Sequence, residues 1–141
     1  MVEQFVIKKP DIEKGNSTIY NINYHIVFCP KYRKKILNKF KEDLELIFKA
    51  VCEGSDWKIL ELKIMEDHIH LFVSSHPQSS PMEMVKKLKG ISARLIFKKY
   101  PELKKELWGK HLWGGGYYVG TTGVVTKEAI QKYIIANSSN L

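Results

Sequence analysis

The chain has few cysteines, no long hydrophobic run and a shortage of acidic residues. Only Cys29 and Cys52 occur among 141 residues, and their separation does not match a metal-binding pair such as Cys-x-x-Cys. No apolar run approaches the roughly 20 residues of a membrane-spanning helix. Residues 1–10 also lack the apolar stretch of a secretory signal. The sequence therefore predicts a cytoplasmic protein whose two thiols stay reduced.

Acidic residues are outnumbered by basic ones, 15 against 23, which gives a formal net charge of +8. The basic residues form clusters interleaved with aromatic ones. Such a surface suits a polyanion, most simply a nucleic acid, because neutralised phosphates release their condensed counterions. From charge alone, a merely soluble basic surface is an equally good interpretation. The cations predicted to contact nucleic acid are Lys31, Arg33, Lys34, Lys35, Lys86, Lys87, Lys89 and Arg94.

Hydrophobic periodicity divides the chain into elements in the order β-α-β-β-α-β-α. Alternation predicts strands, and apolar residues at helical spacing predict helices. The predicted strands cover residues 19–29, 57–65, 68–75 and 111–119, and the predicted helices cover 39–53, 80–100 and 127–138. Glu66-Asp67 alone separate the second and third strands, which indicates a tight hairpin. Ser80, Pro81 and Glu83 provide the N-cap, N1 and N3 residues of the second helix.

The first six elements match the ferredoxin-like, or split βαβ, plan. This α+β fold has an antiparallel sheet with two helices on one face, and here a C-terminal helix is added. At 141 residues one domain is expected. We divide residues 1–141 into an N-terminal arm (1–17), a βαββαβ core (18–119), a hinge (120–125) and a C-terminal helix with its tail (126–141).

The third predicted strand carries two histidines on one face. In a strand, alternate side chains point the same way, so His68, His70 and Phe72 share the face opposite the apolar Ile69 and Leu71. We expect the two imidazoles to project side by side on the open face of the sheet, within reach of one cation. The alternative is that they are ordinary polar residues on a half-exposed strand. The other three histidines, His25, His76 and His111, are predicted to be surface or hydrogen-bonded groups rather than ligands.

The final predicted helix follows a glycine-containing hinge and carries Tyr133. Asn137 lies four residues later, on the same helix face, where its amide oxygen can serve as a third metal ligand. Three neutral ligands leave the charge of a cation undiminished, so it can polarise a phosphate oxygen. A tyrosine hydroxyl can then attack phosphorus. The sequence thus contains candidate metal ligands and a candidate nucleophile, and movement of one helix can bring them together.

Four segments resemble the single-tyrosine transposases of the insertion sequence 200/605 family. They are residues 24–33 (YHIVFCPKYR), 68–70 (HIH, a His-hydrophobic-His motif), 116–120 (GYYVG) and 132–134 (KYI). The resemblance implies a small homodimeric enzyme that uses Mg²⁺ or Mn²⁺ to cut and rejoin single-stranded DNA beside hairpins at transposon ends. It implies that Tyr133 becomes linked to a DNA 5′-phosphate and leaves a free 3′-hydroxyl. It also implies that the tyrosine helix can complete the site of the partner subunit.

The chain departs from the family at the third ligand. That ligand is usually a Gln one helical turn after the tyrosine, and Asn137 at the matching position is shorter by one methylene group. Either the helix lies closer to the metal or another group completes the site.

Two other functions use the same features. A non-catalytic module could bind single-stranded nucleic acid by stacking bases on Tyr24, Phe72 or Tyr118, and metal-dependent cleavage separates it from a transposase. The second alternative is a related His-hydrophobic-His nicking nuclease or a domesticated transposase relative. Such proteins carry the same residues, so the sequence does not distinguish them from an active transposase.

Overall fold

The computed structural model describes residues 13–14, 18–107 and 111–121. The predicted C-terminal helix, with Tyr133 and Asn137, lies outside the described residues. Most of the predicted arm and the hinge residues 122–125 lie outside them as well.

The described part of the chain contains six strands and three α-helices. They are β1 (Glu13–Lys14), β2 (Ile19–Tyr20), β3 (Asn23–Phe28), α1 (Lys41–Gly54), β4 (Lys58–Ile64), β5 (Ile69–Ser74), α2 (Pro81–Lys99), α3 (Leu103–Glu106) and β6 (Tyr118–Gly120). Two short 3-10 turns, Lys31–Arg33 and Leu37–Phe40, lie between β3 and α1. Within these ranges, each helix is too short or too polar to cross a membrane.

The main sheet has four strands in the order β4-β5-β3-β6, and every neighbouring pair is antiparallel. Strands β1 and β2 form a separate hairpin. Numbered along the chain, the four main strands have the order 2-3-1-4, which is the ferredoxin-like arrangement. The predicted fold class is therefore confirmed. Strand β5, which carries His70, lies in the interior of the sheet with a partner on each side.

One hydrophobic core joins the sheet to the helices. Alternation in the two central strands directs Ile26 and Phe28 of β3, and Ile69 and Leu71 of β5, into this core. The Phe28 ring meets the edge of Trp113 with centroids 4.7 Å apart. The helices contribute their apolar stripes, among them Leu44, Phe48, Met84, Leu88 and Ile96. The opposite face of the two central strands is thereby left to His25 and His70.

The predicted hairpin and helix cap are both confirmed. Ile64 of β4 pairs with Ile69 of β5, and the Met65 N–H donates to the His68 carbonyl at 2.8 Å, which leaves Glu66 and Asp67 as the two turn residues. The α2 cap is a reciprocal box. The Glu83 N–H donates to Ser80 Oγ at 3.2 Å, and the Ser80 N–H donates to Glu83 Oε1 at 3.1 Å.

The predicted strand 111–119 is wrong over most of its length, because only Tyr118–Gly120 form a strand. Trp113 makes a single bridge to Pro30. The glycines that follow bring no side chains to pack against a neighbouring strand. Their carbonyls bind a lysine instead, since Lys89 Nζ donates to the oxygens of Gly114 and Gly116, each at 2.8 Å. The predicted strand 19–29 is likewise divided into β2 and β3.

Candidate functional site

His70 lies on the sheet face away from the hydrophobic core, and it is 1% exposed. The expectation of an open face at this point is therefore wrong. His25 of β3 lies beside it, with the His25 Nδ1 atom 3.2 Å from His70 Nε2. The two imidazoles are nearly parallel, with centroids 5.3 Å apart, and the Phe72 ring stacks on His25 at 4.1 Å. The His25 ring of β3 therefore packs against the His70 and Phe72 rings of the neighbouring strand β5.

The surroundings of His70 keep its imidazole neutral. Burial lowers the pKa of His70 to about 3, and the neighbouring His25 and His68 act in the same direction. A neutral imidazole is the form that binds a metal cation. His68 precedes His70 by two residues and lies directly before β5. This pair is consistent with binding of a divalent cation.

His68 follows the two turn residues and precedes β5 directly. Its Nδ1 atom lies 2.9 Å from Asp67 Oδ1, and the side chains of both residues are 16% exposed. The second carboxylate oxygen, Asp67 Oδ2, lies 3.3 Å from Arg33 Nε. Arg33, Asp67 and His68 therefore form a continuous chain of charged and polar contacts at the edge of the site.

The loop that carries Arg33 has an unusual backbone. Tyr32 and Arg33 have φ angles of 61° and 47°, in the left-handed region that non-glycine residues seldom occupy. The Arg33 N–H donates to the Pro30 carbonyl at 2.9 Å, and the Leu37 N–H donates to the Glu66 carbonyl at 3.0 Å. The basic loop is in this way attached to the turn between β4 and β5.

The two predicted basic clusters, residues 31–35 and 86–94, meet at one cavity of about 540 Å³, which is lined by Lys31 of the first and Lys89 of the second. The Lys31 N–H donates to the Leu112 carbonyl at 2.8 Å, which brings the loop after β3 to the glycine-rich segment. The cavity is lined by cations and aromatic rings, among them Lys31, Lys89, Lys104, His111, Phe97 and Trp113. A phosphate backbone and an unstacked base would both find suitable partners there.

The predicted DNA-binding cations differ in how they are placed. Lys89 binds the Gly114 and Gly116 carbonyls, and burial lowers its pKa to about 8. Lys87 donates to Ser55 Oγ at 2.7 Å. The Lys35 ammonium is 3.8 Å from the Glu66 carboxylate. Lys86 and Arg94 are exposed, while Lys34 is half-buried. Lys89 thus stabilises the glycine-rich segment through its hydrogen bonds, and its ammonium is less available to bind a phosphate.

His25, Asp67 and the contact made by Arg33 were not assigned to the site by sequence reasoning. Alternation did place His25 on the correct face, but only the pairing of β3 with β5 brings it to His70. The position of Asp67 immediately before His68 was an available signal. His76 is hydrogen-bonded as expected, with its Nε2 atom 3.2 Å from Ser79 Oγ.

The described residues do not complete a metal site by themselves. Within residues 13–14, 18–107 and 111–121, no group of three or more His, Cys, Asp or Glu side chains is arranged to hold a metal ion. His68 and His70 therefore need a further ligand. The predicted one, Asn137, lies outside the described residues, as does Tyr133.

Comparisons with known sequences give one consistent result. A family model described as "Transposase IS200 like" matches residues 18–137. The ISDra2 transposase TnpA of Deinococcus radiodurans is 37% identical over 131 residues, which cover 92% of this chain and 94% of that protein. A transposase for insertion sequence element IS200 from Salmonella typhimurium is 35% identical over 118 residues, covering 83% of this chain and 77% of that one.

Solved structures agree with this result. A crystal structure assigned as a transposase from Deinococcus radiodurans R1 has a TM-score of 0.79 and 32% identity, covering 89% of this chain and 97% of that one. A REP-associated tyrosine transposase bound to a REP hairpin shares the fold, with a TM-score of 0.51 and 10% identity, covering 86% and 67% of the respective chains. Since the family model matches most of its length, this chain belongs to the IS200-like transposase family.

Proposed function

We propose that the chain cleaves and rejoins single-stranded DNA at hairpin-bearing transposon ends, through a 5′-phosphotyrosine intermediate at Tyr133 and with bound Mg²⁺ or Mn²⁺. The observation that carries this proposal is the His68-Ile69-His70 motif, with His70 in an interior strand and His68 directly before it, in a chain of this family. Strand β5 is paired on both sides, which positions His70, and the hydrogen bond from the Met65 N–H to the His68 carbonyl holds the backbone of His68.

His68 and His70 are the proposed ligands, with Asn137 as the third. The bound cation would withdraw charge from a phosphate oxygen and stabilise the charge that develops as phosphorus is attacked. The burial that keeps His70 neutral leaves one of its ring nitrogens with a lone pair that can bind a metal. Imidazole suits Mn²⁺ somewhat better than Mg²⁺, because Mn²⁺ is the softer ion of the two.

Tyr133 is the proposed nucleophile. Its phenol oxygen forms a bond to the scissile phosphorus, and the bond from phosphorus to the 3′-oxygen breaks. The phenol loses one proton and the departing oxygen gains one, which leaves a free 3′-hydroxyl. Attack by a 3′-hydroxyl on the phosphotyrosine reverses these changes and rejoins the DNA. The linkage conserves the phosphodiester energy, so no nucleotide cofactor is needed.

The basic clusters are the proposed DNA-binding surface. Lys31 and Lys104 approach the same cavity from different segments of the chain, beside the partly exposed ring of Phe97. Cations can follow a phosphate backbone while rings stack on unpaired bases. A structural neighbour that shares this fold is bound to a REP hairpin, which supports a hairpin ligand here.

We expect the protein to bind hairpin-bearing single strands from the ends of its own element more tightly than linear duplex, by about tenfold or more, because each stacked unpaired base contributes roughly 1–3 kcal/mol. Fluorescence anisotropy across a series of salt concentrations measures this preference. Lys31→Ala and Lys104→Ala should weaken binding and flatten the slope of log affinity against log salt by about 0.7 for each phosphate that is no longer neutralised.

Lys49→Ala is the matched control, because it removes the same charge from an exposed position on α1 outside both clusters. Its affinity and salt dependence should stay close to those of the unaltered protein. Equal affinity for duplex and hairpin, or an equal loss of affinity in all three variants, would refute the assignment of this surface.

We also propose that the enzyme is a homodimer whose two chains share their active sites. The motivation is the predicted helix carrying Tyr133 after the glycine-containing hinge 120–125. Mixing a His68→Ala chain with a Tyr133→Phe chain should restore cleavage, because one site then receives an intact histidine pair and an intact tyrosine. Differently tagged chains allow mixed dimers to be isolated and assayed. Isolated mixed dimers without activity would mean that each chain completes its own site.

Of the three rings on which a non-catalytic binding module could stack bases, Tyr24 and Tyr118 are partly exposed, whereas Phe72 is not. That ring was one of those expected to stack on bases, but it is 2% exposed and packs against His25. An aromatic platform on this part of the sheet is therefore closed to a nucleic acid unless the stack opens.

A further inference from the structure

We propose that Asp67 is a positioning residue that selects the ring nitrogen with which His68 binds the cation, and that Arg33 holds Asp67 in place. The inference deepens the proposed function and rests on it, since it concerns how one proposed ligand is oriented. It assigns a role to Asp67, which is not one of the proposed metal ligands, and a second role to Arg33 besides its predicted contact with DNA.

The contact between Asp67 and His68 has only one chemical form when the ring is neutral. An ionised carboxylate accepts hydrogen bonds and cannot donate them. The Nδ1 atom of His68, 2.9 Å from Asp67 Oδ1, must therefore carry the hydrogen and donate it. A neutral imidazole has a single N–H group, so its Nε2 atom keeps a lone pair. Metal-binding histidines commonly donate their other N–H to a carboxylate in this way.

Arg33 fixes the carboxylate from its other side. Its Nε atom lies 3.3 Å from Asp67 Oδ2, while Asp67 Oδ1 faces His68. The two oxygens of one carboxylate thus contact an arginine and a histidine that come from different segments. Rotation of the Asp67 side chain would break both contacts. Arginine is suited to this role because its planar donor group is rigid and permanently charged.

The backbone around Arg33 has left-handed angles and belongs to a loop that is hydrogen-bonded to the turn carrying Asp67. Tyr32 and Arg33 are consecutive non-glycine residues with left-handed backbone angles. Such conformations persist only where the surrounding structure enforces them, and they occur often at functional sites. Here the Leu37 N–H binds the Glu66 carbonyl, next to Asp67, so the loop and the turn form one unit.

The same turn provides a matched control. Glu66 is adjacent to Asp67, carries the same charge and also faces a cation, since its carboxylate is 3.8 Å from Lys35. However, the Glu66 side chain is exposed, and its described contacts include no hydrogen bond to a histidine. Glu66→Ala removes a negative charge from the turn without removing the contact to His68.

The first test determines the tautomer of the His68 ring directly, in the full-length protein without metal. Long-range proton–nitrogen NMR of ¹⁵N-histidine protein reports which ring nitrogen carries the hydrogen. We expect His68 to be protonated at Nδ1 in the unaltered protein and in Glu66→Ala, and to become a mixture of tautomers in Asp67→Ala. Asp67→Asn has nearly the same shape but offers an amide oxygen or an amide N–H, so it should also lose the selection. This second variant serves if Asp67→Ala does not fold.

The second test measures Mn²⁺ affinity by electron paramagnetic resonance of the free ion. Loss of such a supporting carboxylate typically weakens metal binding about 10- to 100-fold, and we expect a loss in this range for Asp67→Ala. Arg33→Ala should give a smaller loss, with Arg33→Lys between it and the unaltered protein. Glu66→Ala should leave the affinity close to its original value.

The two hypotheses fail in different ways. If Mn²⁺ binds and requires His68, but Asp67→Ala and Asp67→Asn keep both the tautomer and the affinity, the positioning role is refuted and the proposed function stands. If the affinity falls equally in Glu66→Ala, the effect is one of general charge and the positioning role is again refuted. If the unaltered protein binds Mn²⁺ no better than His68→Ala does, the proposed metal site itself is wrong.

Discussion

Replacing Tyr133 with Phe will abolish the covalent protein–DNA adduct and reduce strand cleavage by at least about 10³-fold, the scale on which nucleophile removal acts in other enzymes. Phenylalanine keeps the ring and removes only the oxygen that would bond to phosphorus. Binding of hairpin DNA should be unchanged, because the basic clusters remain. Incubation of 3′-labelled hairpin DNA with protein and Mn²⁺, followed by denaturing electrophoresis, measures the adduct, since the tyrosine retains the strand downstream of the cut.

Tyr117→Phe and Tyr118→Phe are the matched controls. Both residues lie in the described part of the chain and are partly buried. The Tyr117 ring lies 6.0 Å from Lys89 Nζ, and the Tyr118 ring packs over Gly120, where an added Cβ would come within 2.7 Å of the Tyr118 hydroxyl oxygen. Both variants should still form the adduct. An adduct that survives Tyr133→Phe and maps to another tyrosine would overturn the assignment, whereas cleavage without any adduct would identify a hydrolytic nuclease.

His68→Ala and His70→Ala should each reduce cleavage by about 10³-fold while hairpin binding stays intact. A bound metal contributes several kcal/mol to stabilising transition-state charge, and about 1.4 kcal/mol corresponds to a factor of ten in rate. Binding depends instead on cations distributed over a broad surface. Cleavage assays over a range of Mn²⁺ and Mg²⁺ concentrations, combined with anisotropy, separate the two effects.

His76→Ala is the appropriate control for these variants. His76 is also a hydrogen-bonded histidine, but its partners are Ser79 Oγ and the Ser55 carbonyl, outside the contacts of the candidate site. Thermal unfolding of each variant detects loss of structure, which matters for His70 because its ring is buried against His25. A double His68→Ala, His70→Ala protein that cuts DNA at the original rate would place the metal site elsewhere.

The parts of the fold that were predicted from the sequence depend on local patterns. The alternation in residues 69–73 places the apolar side chains in the core because strand geometry leaves no other choice. The turn at Glu66 and Asp67 and the Ser80 cap were predicted for a similar reason, since each depends on a few consecutive residues. The antiparallel sheet then follows from the order of the elements.

The features that the sequence could not provide depend on contacts between distant segments. His25 and His70 are 45 positions apart, and their contact requires the register of β3 on β5. The sequence places Lys89 on the polar face of a helix, but it does not reveal that the Gly114 and Gly116 carbonyls lie beside the Lys89 ammonium. The direction of Arg33 depends on backbone angles that its sequence neighbours do not require.

The hydrogen bonds on both edges of β5 restrict where this protein can gain or lose residues. Moving β5 by one position against its neighbours would exchange its two faces, placing His70 among the core side chains and Ile69 or Leu71 in the candidate site. Both neighbouring ladders would have to break for that to happen. A single inserted or deleted codon within β5 would therefore displace His70 and the core side chains together, and β3, which is also paired on both edges, is under the same constraint.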